Sequence, residues 1–216
     1  MGKVKIWDKP TRAFHWLIVL LVGTSWAMAE LGWMKIHMWS GLTILTLVIF
    51  RILWGFFGST TARFSNFITH PRVAVNYVRA VLRSEKRQYA GHNPAGGWVA
   101  LGLMLLLMAQ ASTGLFSHDD INFKGPLAYM VDKGTSDLFS SLHHASFNLI
   151  IIGVAIHIAA VFFYMRVKGE NLVLPMITGY KEEKQVPPGT RLHFVSSGYA
   201  LLLLALSAAL VWWIIR

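Results

Sequence analysis

Five long apolar runs separated by polar, mostly basic connections dominate the chain, at about 13–30, 37–57, 96–116, 142–165 and 192–215. Each approaches the roughly 20 residues that an α-helix needs to cross a bilayer, so the pattern predicts an all-α integral membrane bundle. The longest polar stretch, 58–93, contains a second pattern: after Pro71, the residues Val73, Tyr77, Ala80 and Val81 fall on one helical face. Arg72, Arg79, Arg83, Lys86 and Arg87 lie mostly opposite. The segment 71–89 therefore predicts an amphipathic helix, resting on an anionic membrane surface or solvated in a loop.

The first run has a charged start and ends in Ala27-Met28-Ala29, a pattern shared by cleaved signal peptides. It is read here as a retained transmembrane helix. No internal repeat or low-complexity tract interrupts the chain, which is expected to form one membrane domain over 1–216.

Composition supports the membrane reading, with 55% hydrophobic and 14% charged residues in 216. There are no cysteines, which excludes disulfides, thiolate-bound iron–sulfur clusters and covalently attached c-type haem. The formal charge of +10 could suggest nucleic acid, but the cations are spread between the apolar runs instead of forming one tract. Fifteen lysines and arginines lie in the N-terminal, 58–95 and 166–191 segments, against four on the alternate side. The positive-inside rule then predicts a bacterial cytoplasmic membrane protein with its N-terminus in the cytoplasm and its C-terminus in the periplasm.

Histidines within the apolar runs carry the candidate chemistry. His143 and His157 are 14 residues apart, nearly four turns and about 21 Å, so both leave one face of the fourth run. An imidazole without a polar partner in hydrocarbon costs several kcal/mol. Ligation to a haem iron supplies a partner, while a hydrogen bond to a neighbouring carbonyl is the structural alternative. The adjacent His144 points about 100° away, and only His143 shares the face of His157.

His15 sits one turn inside the first run and His37 opens the second. With alternating helix directions, depth pairs His37 with His143 towards the outer face and His15 with His157 towards the inner face. Two stacked bis-histidine sites follow, each suited to a low-spin haem b that transfers electrons. Arg51 lies 14 residues after His37 and has a haem propionate or the lipid headgroups as candidate partners. Gly41, one turn after His37, offers either a close approach for a flat ring or a helix-packing contact. Gln110, Ser112 and Thr113 make the end of the third run mildly polar, suited to a cofactor edge or to interhelical hydrogen bonds. His70, His92 and His118 occupy polar connections with nothing to single them out as ligands, and His193 stands at the water boundary of the fifth run.

The segments IWDKPTRAFHW around His15, KIHMWSG around His37 and LHHASFNLIIIGVAIH from Leu142 to His157 resemble the prokaryotic cytochrome b561 family. They are also similar to the b-type cytochrome subunits of nickel–iron hydrogenases. The resemblance covers residues 4 to about 179, including ENLVLPMITG at 170–179. It implies a four-helix di-haem core that exchanges electrons with membrane quinone, with His15, His37, His143 and His157 as ligands. The fifth run departs from that four-helix pattern.

The function expected is transfer of electrons between the quinone pool and a periplasmic redox partner, such as a c-type cytochrome or a dehydrogenase- or hydrogenase-type protein. Asp119, Asp120, Asp132 and Asp137 offer an acidic docking loop for a basic partner. Within the redox class, the competing reading is a self-contained quinol oxidoreductase acting on a small oxidant such as superoxide. A transition-metal transporter and a passive anchor for a larger complex are the readings outside it. Transport generally draws on intramembrane carboxylates, cysteines or methionine pairs, and no Asp or Glu lies within the interior of a span here.

Overall fold

The computed structural model describes residues 2–83, 87–121 and 123–216; Lys86, one of the cations assigned to the amphipathic segment, lies outside them. Among the described residues, five helices are long and apolar enough to cross a membrane: α1 (Lys9–Glu30), α2 (Met34–Phe57), α5 (Pro94–Gly114), α6 (Lys133–Phe163) and α8 (Ser197–Ile214). Short helices α3 (Phe64–Phe67), α4 (Pro71–Leu82) and α7 (Val173–Thr178) lie in the connections. Strand β1 (Lys3–Lys5) pairs antiparallel with β2 (Tyr180–Glu182), tying the N-terminal segment to the chain after α7.

Local chemistry sets the helix starts. Asp8 caps α1 by accepting from the Thr11 amide at 2.7 Å, and Pro10 occupies the first turn, where a missing N–H does no harm. Asn93 followed by Pro94 repeats the device on α5, accepting from the Gly96 amide at 2.7 Å. Asp132 caps α6 through the Thr135 amide at 3.0 Å. That cap starts α6 well before the apolar run at 142, because 133–141 is polar yet helical and hydropathy does not see it. The helix ends in a π turn over Tyr164–Lys168, closed by Gly169 at φ +67°.

Helix α2 is the spine, packing on α1, α5 and α8. Its buried face includes Leu42, Leu45, Val48, Phe50 and Trp54. Helix α8 covers part of that face with Ala200, Leu203, Ser207 and Val211, spaced three or four residues apart as one helical stripe. Its span opens at Ser197, so His193 falls in the preceding extended segment, where its amide donates to Thr60 Oγ1 at 2.9 Å.

The basic connections gather at the end of the bundle where α1 begins. Here Asp8, 2% exposed, also accepts from the Trp54 indole at 3.0 Å, and Thr61 Oγ1 donates to the Ile6 carbonyl at 2.7 Å. The Ile6 and Trp7 amides both donate to the Gly179 carbonyl, at 2.7 and 3.1 Å. The Ile-Trp-Asp-Lys-Pro segment is thus a buried knot joining α1, α2 and the chain after α7. At the opposite end lie the connection 115–132 and the first turns of α6. Asp120 and Asp137 there bind Lys133 at 2.8 and 3.1 Å, while His118 lies 2.8 Å from Asp137. His118, expected only as a loop residue, has a side chain just 10% exposed.

Candidate functional site: two facing histidine pairs

Three helices supply the four membrane histidines: α1 gives His15, α2 gives His37 and α6 gives His143 and His157. Towards the basic end, the His15 and His157 rings face each other with centroids 6.4 Å apart. Towards the acidic end, His37 and His143 stand 6.0 Å apart. A metal bound to imidazole holds the nitrogen at about 2 Å, so two rings facing across one metal have centroids roughly 6 Å apart. Both pairs have this separation. His144 is exposed, its ring centroid 6.3 Å from that of His143, and is not the residue that faces His37.

Hydrogen bonding fixes which nitrogen is available at the acidic-end pair. His37 Nδ1 is 2.9 Å from the Ser25 carbonyl, and His143 Nδ1 is 2.9 Å from the Gln110 carbonyl. A carbonyl only accepts, so both rings carry their proton on Nδ1 and keep a lone pair on Nε2. The Gln110 side-chain amide points at that lone pair on His143, with 3.0 Å between the two nitrogens. Ser146 Oγ in turn donates to Gln110 Oε1. Gln110 and Thr113 therefore do act between helices, around one of the candidate ligands.

Space for a flat ring is present beside this pair. His37 and His143 line a cavity of 280 Å³ together with Gly41, Gly114, Glu30, His118 and Asp119. A Cβ at Gly41 would meet nothing within 4 Å, so no helix packs against it. A Cβ at Gly114 would instead lie 2.9 Å from His143 Cε1. Gly114 lets the imidazole rest on the α5 backbone, a role that the sequence did not single out. The donor set and open wall fit a b-type haem, with neutral imidazoles to ligate once the Gln110 side-chain amide turns away from His143 Nε2, and an apolar cleft to hold the ring.

The basic-end pair has a different environment. His15 Nδ1 is buried and lacks a hydrogen-bond partner. Arg51 is 3% exposed and does not snorkel to the headgroups; its guanidinium lies 5.7 Å from the Phe64 ring centroid and 5.9 Å from that of Phe67, and Nη1 is without a partner. His92 was passed over in the sequence because it stands in a polar connection. Its ring packs on Trp7 at 4.9 Å and Phe67 at 4.7 Å, with a buried, unpartnered Nδ1. Desolvation first, then the charges of Arg51, His157 and His15, hold the His92 imidazole down at about 3. A buried guanidinium nitrogen and an imidazole nitrogen thus stand unsatisfied in one aromatic pocket, an arrangement that fits an anionic group such as a propionate. The GHNP sequence, a capping Asn before a helix-starting Pro, was the available signal that His92 is held rigidly against the bundle. His70 instead accepts from the Arg72 amide at 3.3 Å and starts α4.

Two comparisons with known proteins bear on this arrangement. A probable nickel–iron hydrogenase B-type cytochrome subunit of Rhodobacter capsulatus is 23% identical over 218 residues, spanning 84% of this chain and 82% of that protein. The family model for prokaryotic cytochrome b561 matches residues 6–179, which takes in α1, α2, α5, α6 and α7 and stops before α8. With four membrane histidines in two facing pairs inside the matched region, the chain belongs to the prokaryotic cytochrome b561 family, as a multi-pass b-type membrane cytochrome of electron transfer.

Proposed function

We propose that the chain carries two haems b, with His15 and His157 as axial ligands of one and His37 and His143 of the other. Through them it connects a membrane quinone to a redox protein at the acidic end. The observation that carries this reading is the pair of imidazole separations, 6.4 and 6.0 Å, spaced roughly 21 Å apart along α6. Haem iron supplies reversible one-electron chemistry, and ligation on both faces favours electron transfer over oxygen binding.

The surrounding side chains have assignable tasks. The Ser25 and Gln110 carbonyls orient His37 and His143 and raise their basicity as ligands. Gly41 leaves room for the ring face. Arg51 Nη1 and His92 Nδ1, both buried and unpartnered, would hold an anionic propionate of the basic-end haem, and the guanidinium charge would stabilise it within the low-dielectric bundle. The excess of Lys and Arg at the basic end supports a cytoplasmic location for it, in a bacterial inner membrane, with the acidic end periplasmic.

At the acidic end, Asp119, Asp120, Asp132 and Asp137 outnumber Lys124 and Lys133. Each of these carboxylates also serves the fold: Asp132 as a cap, Asp120 and Asp137 on Lys133, and Asp119 through the Phe123 amide at 2.8 Å. Their net negative charge suits a basic redox partner, such as a c-type cytochrome or a hydrogenase-type protein like the one served by the relative in Rhodobacter capsulatus. Glu30 and Asp119 in the cavity lining would repel superoxide, which favours a protein partner over a small anionic oxidant.

The test is direct electron exchange in proteoliposomes. Reduced ubiquinol or menaquinol analogues should develop the absorption bands of reduced haem b, and a cationic cytochrome should reoxidise them at a rate that falls with salt. Haems that stay oxidised with every quinol at every potential tested would exclude the quinone connection.

A further inference from the structure

Helix α4 carries three separate stripes along its length. Tyr77 and Ala80 are buried against the bundle, with Val81 half-buried beside them. Val75, Val78 and Leu82, three and then four residues apart, form a second stripe; all are exposed, Leu82 to 74%. Arg72, Asn76, Arg79 and Arg83 repeat at the same intervals as a third, also fully on the outside. At 100° per residue, the arginine stripe lies about 90° round the helix from the exposed apolar one.

The arginines are uncommitted. Helix α4 contains no acidic residue, and among the described residues the Arg72, Arg79 and Arg83 side chains have no ion-pair or hydrogen-bond partner.

Hydrogen bonds fix where the helix lies. Just before α4, the Thr69 carbonyl accepts from the indole of Trp98, near the start of α5, at 3.0 Å. The Tyr77 hydroxyl meets that of Tyr164 at 2.5 Å, and the Val81 carbonyl accepts from Lys168 Nζ at 2.7 Å. Tyr164 and Lys168 belong to the π turn that ends α6. The start of α5 and the end of α6 mark one end of the bundle, so α4, roughly 18 Å long, crosses it at the level where the spans leave the membrane.

At that level a helix has acyl chains on one side and headgroups on the next. An acidic soluble protein would complement the arginines, but it would have to cover an apolar stripe that the span ends already hold beside lipid. We propose that α4 is seated in the membrane interface, with Val75, Val78 and Leu82 among the acyl chains and Arg72, Arg79 and Arg83 on the phosphates of anionic lipids. The connection that carries α4 also carries Phe64, Phe67 and His92, which pack around Arg51 and each other, so lipid engagement steadies one wall of the basic-end pocket. The inference rests on the membrane reading of the chain and is independent of the haem ligands.

The chain has no cysteine, so one introduced cysteine carries a nitroxide at a defined place. In nanodiscs of equimolar phosphatidylglycerol and phosphatidylcholine, labels on Val78→Cys and Leu82→Cys in the full chain should be relaxed mainly by oxygen, which partitions into acyl chains. A label on Asn76→Cys should respond mainly to a water-soluble nickel chelate. Preference for the chelate at all three positions would overturn the placement and leave α4 as an aqueous face for a soluble partner. The lipids retained after extraction from the same nanodiscs, counted by native mass spectrometry, test the headgroup contacts. Arg72→Gln/Arg79→Gln/Arg83→Gln should lower the ratio of phosphatidylglycerol to phosphatidylcholine at least about fivefold, the effect of one arginine near a membrane surface. Arg72→Lys/Arg79→Lys/Arg83→Lys should keep it. An unchanged ratio in the glutamine variant, or an equal loss in both variants, would overturn the arginine contacts.

Discussion

His143 Nδ1 lies 2.9 Å from the backbone carbonyl of Gln110, so α5 determines the tautomer of a histidine carried by α6. The same relationship ties His37 on α2 to the Ser25 carbonyl on α1. In both, a neighbouring helix backbone holds the ring proton on Nδ1, while the Nε2 lone pair of His143 accepts from the Gln110 side-chain amide. Backbone groups cannot be removed by substitution, so this orientation resists side-chain change.

Gly114 offers a way to disturb it. A Val there brings a Cβ to about the 2.9 Å approach of His143 Cε1, and pushes the ring off its seat. Gly114→Val should lose the haem of the His37 and His143 pair while keeping that of His15 and His157. Low-spin signals in electron paramagnetic resonance would distinguish one lost species from two.

Arg51 should act on the other pair. Arg51→Gln removes a buried positive charge, which favours the reduced, less positive haem, so the potential of the His15 and His157 haem should fall. Its partner at His37 and His143 should shift less. A redox titration showing equal shifts at both would place the guanidinium elsewhere in the electrostatics of the bundle.

His92 predicts a pH dependence. In the haem-free chain its folded-state pKa is held at about 3, below the ordinary value near 6.5. Between those values the unfolded chain binds the proton and the folded chain does not, so stability present above pH 6.5 is lost as pH falls towards 3. In the haem-free chain, His92→Gln should flatten the fall in thermal midpoint between pH 6.5 and 4, as measured by circular dichroism in detergent. A variant that declines as steeply as the wild type would remove His92 from the account.

The Asp8 knot should matter for stability more than for chemistry. Asp8→Ala loses a helix cap, about 1 kcal/mol, and leaves the buried Trp54 indole unpaired, about 1–3 kcal/mol more. A lower melting temperature with unchanged haem spectra is the expected outcome; intact stability would show that the cap and the indole bond are replaceable.

Much of this was legible in the chain. The five apolar runs, and the 14-residue interval between His143 and His157, are patterns of hydropathy and helical period, which survive without tertiary knowledge. The early start of α6 was not, because Lys133 to Ser141 is polar and its helicity rests on the Asp132 cap and on packing. His92 was hidden for a related reason. It lies in a polar connection, and only the fold brings Trp7, Phe67 and Arg51 around it from distant stretches of sequence. Gly114 was equally silent, since what it admits is a ring from another helix.

The central claim is two haems on four named histidines. Haem b should be quantified against protein in the detergent-purified chain, for the wild type and for His15→Ala, His37→Ala, His143→Ala and His157→Ala. The account requires two haems per wild-type chain. It also requires His15→Ala and His157→Ala to lose one and the same spectral species, and His37→Ala and His143→Ala the other. One haem in the wild type, or any of these variants retaining both low-spin species, would contradict it.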